Sequence, residues 1–179
     1  MCNGTEKARV SFPITHYTVH ITQSRGSFSL RILGLDVGDR RIGVAMSDAL
    51  GLTAQPLMVL ERRTATQDRQ ALQTIVTTHH VGSIIIGLPL TLRGERGPQA
   101  QKVTAFVESL RRTITIPIHM ADERLTTVQG ERALRELNAP ARARKQVIDQ
   151  VAAQLILQQF LDQQRATNQQ DEAAPSDDV

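Results

Sequence analysis

The chain has 179 residues, 40% of them hydrophobic and 22% charged, which is enough for one domain with its own core and too short for two large lobes facing across a cleft. A single cysteine, Cys2, excludes a disulfide framework and a thiolate metal cluster, and no run approaches the roughly 18 apolar residues of a membrane span, so a soluble cytoplasmic protein is expected. The net charge is +3, yet the last fourteen residues hold Asp171, Glu172, Asp177 and Asp178 and no base, so residues 1–165 carry +7, nearly all as arginine, whose planar fork suits phosphate oxygens.

Residues 1–29 show no sustained period and read as an extension, with Tyr17, Val19 and Ile21 alternating over one short stretch. Arg31–Asp36, Arg41–Ser47 and Leu52–Leu60 are β-compatible runs whose linkers are too short for a crossover, so they are expected to meander as antiparallel neighbours. From Ala65 to His79 the period turns helical, with Leu72, Ile75 and Val76 on one side. Val81–Gly87 follows, and its Ile84, Ile85, Ile86 run is the pattern of a strand covered on both faces. Pro98 opens a helix to about Arg112, and Ile114–Ala121 reads as a fifth strand. Thr126 with Gln129 resembles a capping box for a helix that Pro140 stops. A last helix, from about Lys145 to Gln164, is apolar at Ile148, Ala152, Ile156 and Phe160, and residues 166–179 read as a disordered acidic tail. The order predicts one α/β domain over 30–165, a mixed five-stranded sheet with three antiparallel strands followed by parallel ones, flanked by helices.

Acidic residues fall at telling places on this frame. Asp36 ends the first strand, where the local turn offers only Arg40 or Arg41 as a partner, although a turn aspartate bonding its own backbone is the plain alternative. Asp122 and Glu123 end the fifth strand at the carboxyl edge, where sheets containing parallel strands gather ligands; alternation leaves open which of the two faces the site. Asp149 shares the apolar stripe of the last helix with Ala152, Ala153, Ile156 and Phe160, so it points inward. Lys145, one turn earlier, offers it about 0.3–0.5 kcal/mol, far less than desolvating a carboxylate costs, so a better partner is expected.

Were these acids to converge, two carboxylates ~4 Å apart would repel by about 4 kcal/mol at an effective dielectric near 20, and the cluster would call for a cation. Oxygen-only ligands suit Mg²⁺ or Mn²⁺, and a pair of such ions carries out in-line phosphodiester hydrolysis. The glycine-rich stretch over 84–97 carries Arg93 and Arg96 but lacks the Lys-Ser or Lys-Thr ending of an NTPase loop, so it reads as a loop that closes on nucleic acid or as an ordinary flexible connection. Arg142, Arg144 and Lys145 form a basic cluster before Asp149, and Arg40, Arg41 and Arg124 flank the other acids; all are candidates for the phosphate backbone.

Read together, LGLDVGDRRIGVA at 33–45, Ser47-Asp48, Pro56-Leu57, IIIGLP at 84–89, DERLTT at 122–127 and RKQVIDQVAAQLIL at 144–157 resemble the bacterial pre-16S ribosomal RNA nuclease family, also described as Holliday-junction resolvase-like. The resemblance implies an RNase H-like fold and an acidic cluster of Asp36, Glu123 and Asp149, catalytic and metal-binding. The expected activity is a divalent-metal-dependent endonuclease on structured RNA, processing the 5′ end of pre-16S rRNA, as a monomer or homodimer. Branched DNA is the alternative substrate, and a resolvase would need a dimer presenting two sites. A noncatalytic nucleic-acid-binding ribosome-assembly factor is the reading from another class. Aromatic content of 3% argues against recognition by base stacking in any of these. A sugar kinase or actin-like ATPase, which shares an Asp-Val-Gly turn, needs two such lobes where only one is present.

Overall fold

Three short-linked strands, β1 (Arg31–Val37), β2 (Arg41–Ser47) and β3 (Ala54–Glu61), form the expected antiparallel meander. The computed structural model describes residues 30–91, 93–123 and 141–172, with backbone alone for 141–147 and 170–172. The β1–β2 turn is closed by the Gly38 N–H donating to the Arg41 carbonyl at 2.9 Å, and this register sets Asp36 opposite Gly43. Helix α1 (Ala65–Thr78) starts where the Thr64 hydroxyl accepts the Gln67 N–H at 3.2 Å, satisfying one of the orphan donors of the first turn. It carries the chain back so that β4 (Val81–Leu88) lies parallel to β1. Helix α2 (Pro98–Arg111), with proline at its start, does the same for β5 (Ile118–Asp122), parallel to β4. The sheet order is β3-β2-β1-β4-β5.

The period-two alternation of the strands divides the core into two layers. Leu33, Leu35, Val37, Ile42, Val44, Ile84 and Ile86 face α1 and α2 and meet Leu72, Val103, Phe106 and Leu110. The opposite face is covered by helix α3 (Ala141–Glu172), whose Ala153, Ile156, Leu157 and Phe160 pack on Ala45, Ala54 and Ile85. This second layer is thin because β1, β2 and β4 present glycine there. A Cβ on Gly34 would stand 2.7 Å from Leu157 Cβ and 3.0 Å from the Ala153 carbonyl oxygen, and one on Gly43 would overlap the Asp149 carbonyl. Bare backbone at these positions lets α3 seat closely on the sheet.

Two elements differ from the sequence expectation by more than two residues at an end. β5 begins at Ile118 rather than Ile114, because the Thr113 and Ile114 N–H groups both return to the Leu110 carbonyl at the end of α2, and Pro117 has no N–H to extend the ladder backward. Helix α3 runs from Ala141 to Glu172, longer at both ends than 145–164, so residues 166–172 of the expected disordered tail are helical. The apolar stripe reports where the helix is covered, up to Leu161, and is silent about the turns beyond. The extension 1–29, the helix expected after Thr126, and residues 173–179 lie outside the described residues. No helix among the described residues is long and apolar enough to cross a membrane.

Candidate active site

The carboxyl ends of β1, β4 and β5 lie side by side, and the face covered by α3 carries the expected acids. Asp36 has Gly43 across from it on β2, and the β1–β4 register, which pairs Leu35 with Ile86, brings Gly87 to its other side. Asp36 is therefore a carboxylate flanked by two residues without side chains. The vacated spaces are filled from elsewhere: the Asp149 backbone carbonyl stands over Gly43, and the Glu123 carboxylate stands over Gly87 together with the Ile156 side chain.

This arrangement distinguishes the fifth strand's two acids. Ile118 packs with the α1/α2 layer and Ala121 with the α3 layer, so alternation sends Asp122 to the former side and Glu123, the next residue, to the side of Asp36. Burial pushes the Asp36 carboxyl up to about 6, with the negative charge of Asp149 adding to the effect. Burial likewise pushes Glu123 up to about 7, followed by the charges of Asp36 and then Asp122. Asp36 is thus the hub, coupled to Asp149 on one flank and to Glu123 on the other. Among the described residues, no three His, Cys, Asp or Glu side chains are gathered into a ready metal cage. Asp36, Asp149 and Glu123 offer carboxylate oxygens only, the donor type that hard divalent cations take.

Asp149 points inward as expected, and beside it stands an arginine whose sequence position suggests a phosphate ligand instead. Arg41 Nη1 lies 3.6 Å from Asp149 Oδ2, with both side chains about 20% exposed. Arg40, by contrast, is exposed in the β1–β2 turn, as are Arg93 and Arg96 on the β4–α2 loop, so these three are presented to solvent near the sheet's carboxyl edge. Arg124 lies outside the described residues, and Arg142, Arg144 and Lys145 sit at the start of α3, where only the backbone is described. His119 shares the α3 face of β5 but stacks on Phe160 with ring centroids 6.5 Å apart; burial holds it below the usual histidine range, in keeping with a packing role.

The turn after Asp36 is held from three sides by residues that no sequence motif singles out. Arg62 Nη1 donates to the Gly38 carbonyl at 2.9 Å, Gln99 Nε2 to the Val37 carbonyl at 3.3 Å, and Lys102 Nζ to Asp39 at 2.8 Å. Arg62 is itself fixed, with Nε 3.2 Å from the buried Asp68 carboxylate and its guanidinium 5.1 Å from the Phe106 ring centre. Asp68 also accepts the Arg63 N–H at 3.0 Å. Because Gln99 and Lys102 lie in the first turns of α2, the loop carrying Arg93 and Arg96 leads directly into the helix that braces the Asp36 turn.

Comparison with known proteins bears directly on this site. The sequence profile of the family described as RuvX, Holliday junction resolvase, matches residues 30–163, which include β1, β5 and the Asp149 turn of α3. The chain belongs to the RuvX family. A RuvX relative from Thermoanaerobacter pseudethanolicus, named "Putative pre-16S rRNA nuclease", is 50% identical over 137 residues, covering 76% of this chain and 99% of its own. One of the same name from Moorella thermoacetica is 49% identical over 133 residues, covering 74% and 95%. Membership makes the chain a nuclease, a hydrolase of phosphodiester bonds. Among solved structures, one described as Thermus thermophilus RuvC in complex with Holliday junction substrate superposes with a TM-score of 0.51 at 13% identity, covering 77% of this chain and 97% of that one. At that identity the likeness concerns the fold, which is RNase H-like, as the sequence resemblance implies.

Proposed function

We propose that this RuvX protein is a divalent-metal-dependent endonuclease that trims the 5′ end of pre-16S rRNA, with Asp36, Glu123 and Asp149 as the metal-holding and catalytic carboxylates. The observation that carries the reading is the coupling of Asp36 to both Glu123 and Asp149 across two glycine positions on one face of the sheet. No packing demand explains acids placed so that the charge of Asp149 raises the cost of ionising Asp36, and that of Asp36 the cost of ionising Glu123. Bound Mg²⁺ or Mn²⁺, as one ion or two, would supply the positive charge that lets all three ionise and would polarise the scissile phosphate.

The chain's own groups then divide the work. Asp36, fixed by the braced turn, is the central ligand. Asp149 is held by the seating of its own backbone on Gly43, and its charge faces Arg41. Glu123, at about 7, is the carboxylate best able to hold or release a proton near neutral pH in the metal-free site. Exposed Arg40, Arg93 and Arg96 would meet the phosphate backbone beside the cluster, and Arg124, Arg142, Arg144 and Lys145 would extend that surface. The names of the relatives support precursor rRNA as substrate, and the family's own description supports branched DNA as the second reading.

The test is cleavage of two substrates, a structured RNA carrying the 16S precursor 5′ end and a four-way DNA junction. Each is incubated with Mg²⁺ or Mn²⁺ and either the parent or Asp36→Asn. RNA cut at a defined position by the parent and left intact by Asp36→Asn is the expected result. Junction cutting alone would make it a resolvase, and tight binding of either substrate without cutting would make it an assembly factor.

A further inference from the structure

The ion pair between Arg41 and Asp149 is built unlike the other ion pairs among the described residues. Exposed pairs such as Lys102–Asp39, Arg111–Glu108 and Arg165–Asp162 close to 2.8 Å, whereas Arg41 Nη1 stands 3.6 Å from Asp149 Oδ2, outside hydrogen-bond range. Nη1 is fully buried and donates no hydrogen bond. A half-buried pair needs good hydrogen-bond geometry to offset its desolvation, and a guanidinium is well suited to a bidentate grip, so a loose pair at this depth is a poor structural fastening. Its position is nevertheless fixed by register. Arg41 lies two residues before Gly43 on the same face of β2, and Gly43 is where the Asp149 backbone rests. The other charge aligned with Arg41 is Glu61, its partner across β3, which is exposed.

We propose that Arg41 is a resident counter-cation of the carboxylate cluster, a positioning residue that takes the electrostatic place of one divalent ion at Asp149 and must be outcompeted when metal binds there. This rests on the metal-dependent reading above. Held by charge rather than by a hydrogen bond, the guanidinium can give way without leaving a broken bond behind. Its positive charge offsets negative charge at Asp149 in the metal-free site, and it also weakens the site for metal, because a fixed positive charge beside an incoming cation repels it. Arg41 is thereby withdrawn from the phosphate-binding surface that Arg40 occupies.

Calorimetric titration of Mn²⁺ alone into the full chain tests this, with no nucleic acid present. Arg41→Gln should bind Mn²⁺ about fivefold to tenfold more tightly than the parent, since a like charge has been removed from the site. Arg41→Lys, which keeps the charge, should stay within about twofold of the parent. The rise in melting temperature on adding saturating Mn²⁺ should be larger for Arg41→Gln than for the parent, a response that a purely structural arginine would not produce. If Arg41→Gln does not fold, Arg41→Met, which keeps the packing of the stem, takes its place. Equal or weaker Mn²⁺ binding by a folded, charge-free variant overturns the inference while leaving the nuclease reading standing; a parent that binds no Mn²⁺ overturns both.

Discussion

The Glu123 carboxylate occupies the space that a side chain on Gly87 would fill. Two strands are thus coordinated at one point: β4 withholds a side chain so that the residue after β5 can bring its acid toward Asp36. Gly43 stands in the same relation to Asp149, with one difference. At Gly43 the nearest intruding atoms belong to helix backbone, and at Gly87 they are side-chain ends, the Glu123 carboxylate and the Ile156 methyl.

That difference separates two substitutions of equal size. Gly43→Ala would force α3 away from β2, and the expected cost is about 1–3 kcal/mol of stability, measured by urea denaturation. Gly87→Ala should displace Glu123 instead, reducing cleavage about 10- to 100-fold with a smaller loss of stability. Equal effects of the two on stability, with Gly87→Ala fully active, would show that Glu123 has no part in the reaction.

The metal-free protein should be more stable near pH 5 than near pH 8. Asp36 and Glu123 both have folded-state values raised above the ordinary 3.8 and 4.5, to about 6 and about 7. The folded state therefore holds more protons than the unfolded one between about pH 4 and 7, and stability falls as pH rises through that window. Each group contributes on the order of 3 kcal/mol to the fall. Asp36→Asn should abolish cleavage, flatten the melting-temperature profile measured in EDTA, and exceed the parent in stability at pH 8. A parent and variant with parallel profiles would mean that Asp36 is not buried as a charge.

Arg62→Ala should destabilise the fold by about 2–4 kcal/mol, because it removes the guanidinium paired with the Asp68 carboxylate, which is only 6% exposed. It should also lower activity, since the Gly38 carbonyl would lose its donor beside Asp36. Asp68→Asn, which can still accept the Arg63 N–H, should cost less. Denaturation curves for the two variants, with cleavage rates at a temperature where both stay folded, distinguish the effects; a change under about 0.5 kcal/mol for Arg62→Ala would place this arginine among ordinary surface residues.

Arg93→Gln with Arg96→Gln should leave the melting temperature unchanged, because both residues are exposed. Binding to structured RNA should weaken, and the slope of log affinity against log salt should drop by about one for each phosphate that is no longer neutralised. A slope identical to that of the parent would remove the β4–α2 loop from the interface.

The meander and the covered central strand are legible in the sequence because short linkers and the Ile84–Ile86 run leave the chain little choice. The inward aim of Asp149 is legible from the helical stripe. Choosing Glu123 over Asp122 needs the packing of Ile118 and Ala121 on opposite layers, which alternation cannot orient by itself. Arg41 is harder to place. Next to Arg40 in the sequence it looks like a second phosphate ligand, and only the β1–β2 register, with Gly43 two positions on, turns it toward α3. That register can be counted from the hairpin length, which makes the pairing of Asp36 with Gly43 the most accessible signal beyond the motifs themselves. Arg62, Gln99 and Lys102 leave no trace in any motif, since they reach the Asp36 turn from other elements.

Helix α3 also reaches over the outer margin of β3. Gln158 Oε1 accepts the Ala54 N–H at 2.8 Å, Gln154 Nε2 donates to the Ala54 carbonyl at 2.9 Å, and Arg165 donates to the Leu52 carbonyl at 2.7 Å. At this end of β3 the main-chain groups of Ala54 are already engaged, so the helix that brings Asp149 to the acids also blocks a foreign strand from zipping on from the first residue of the border.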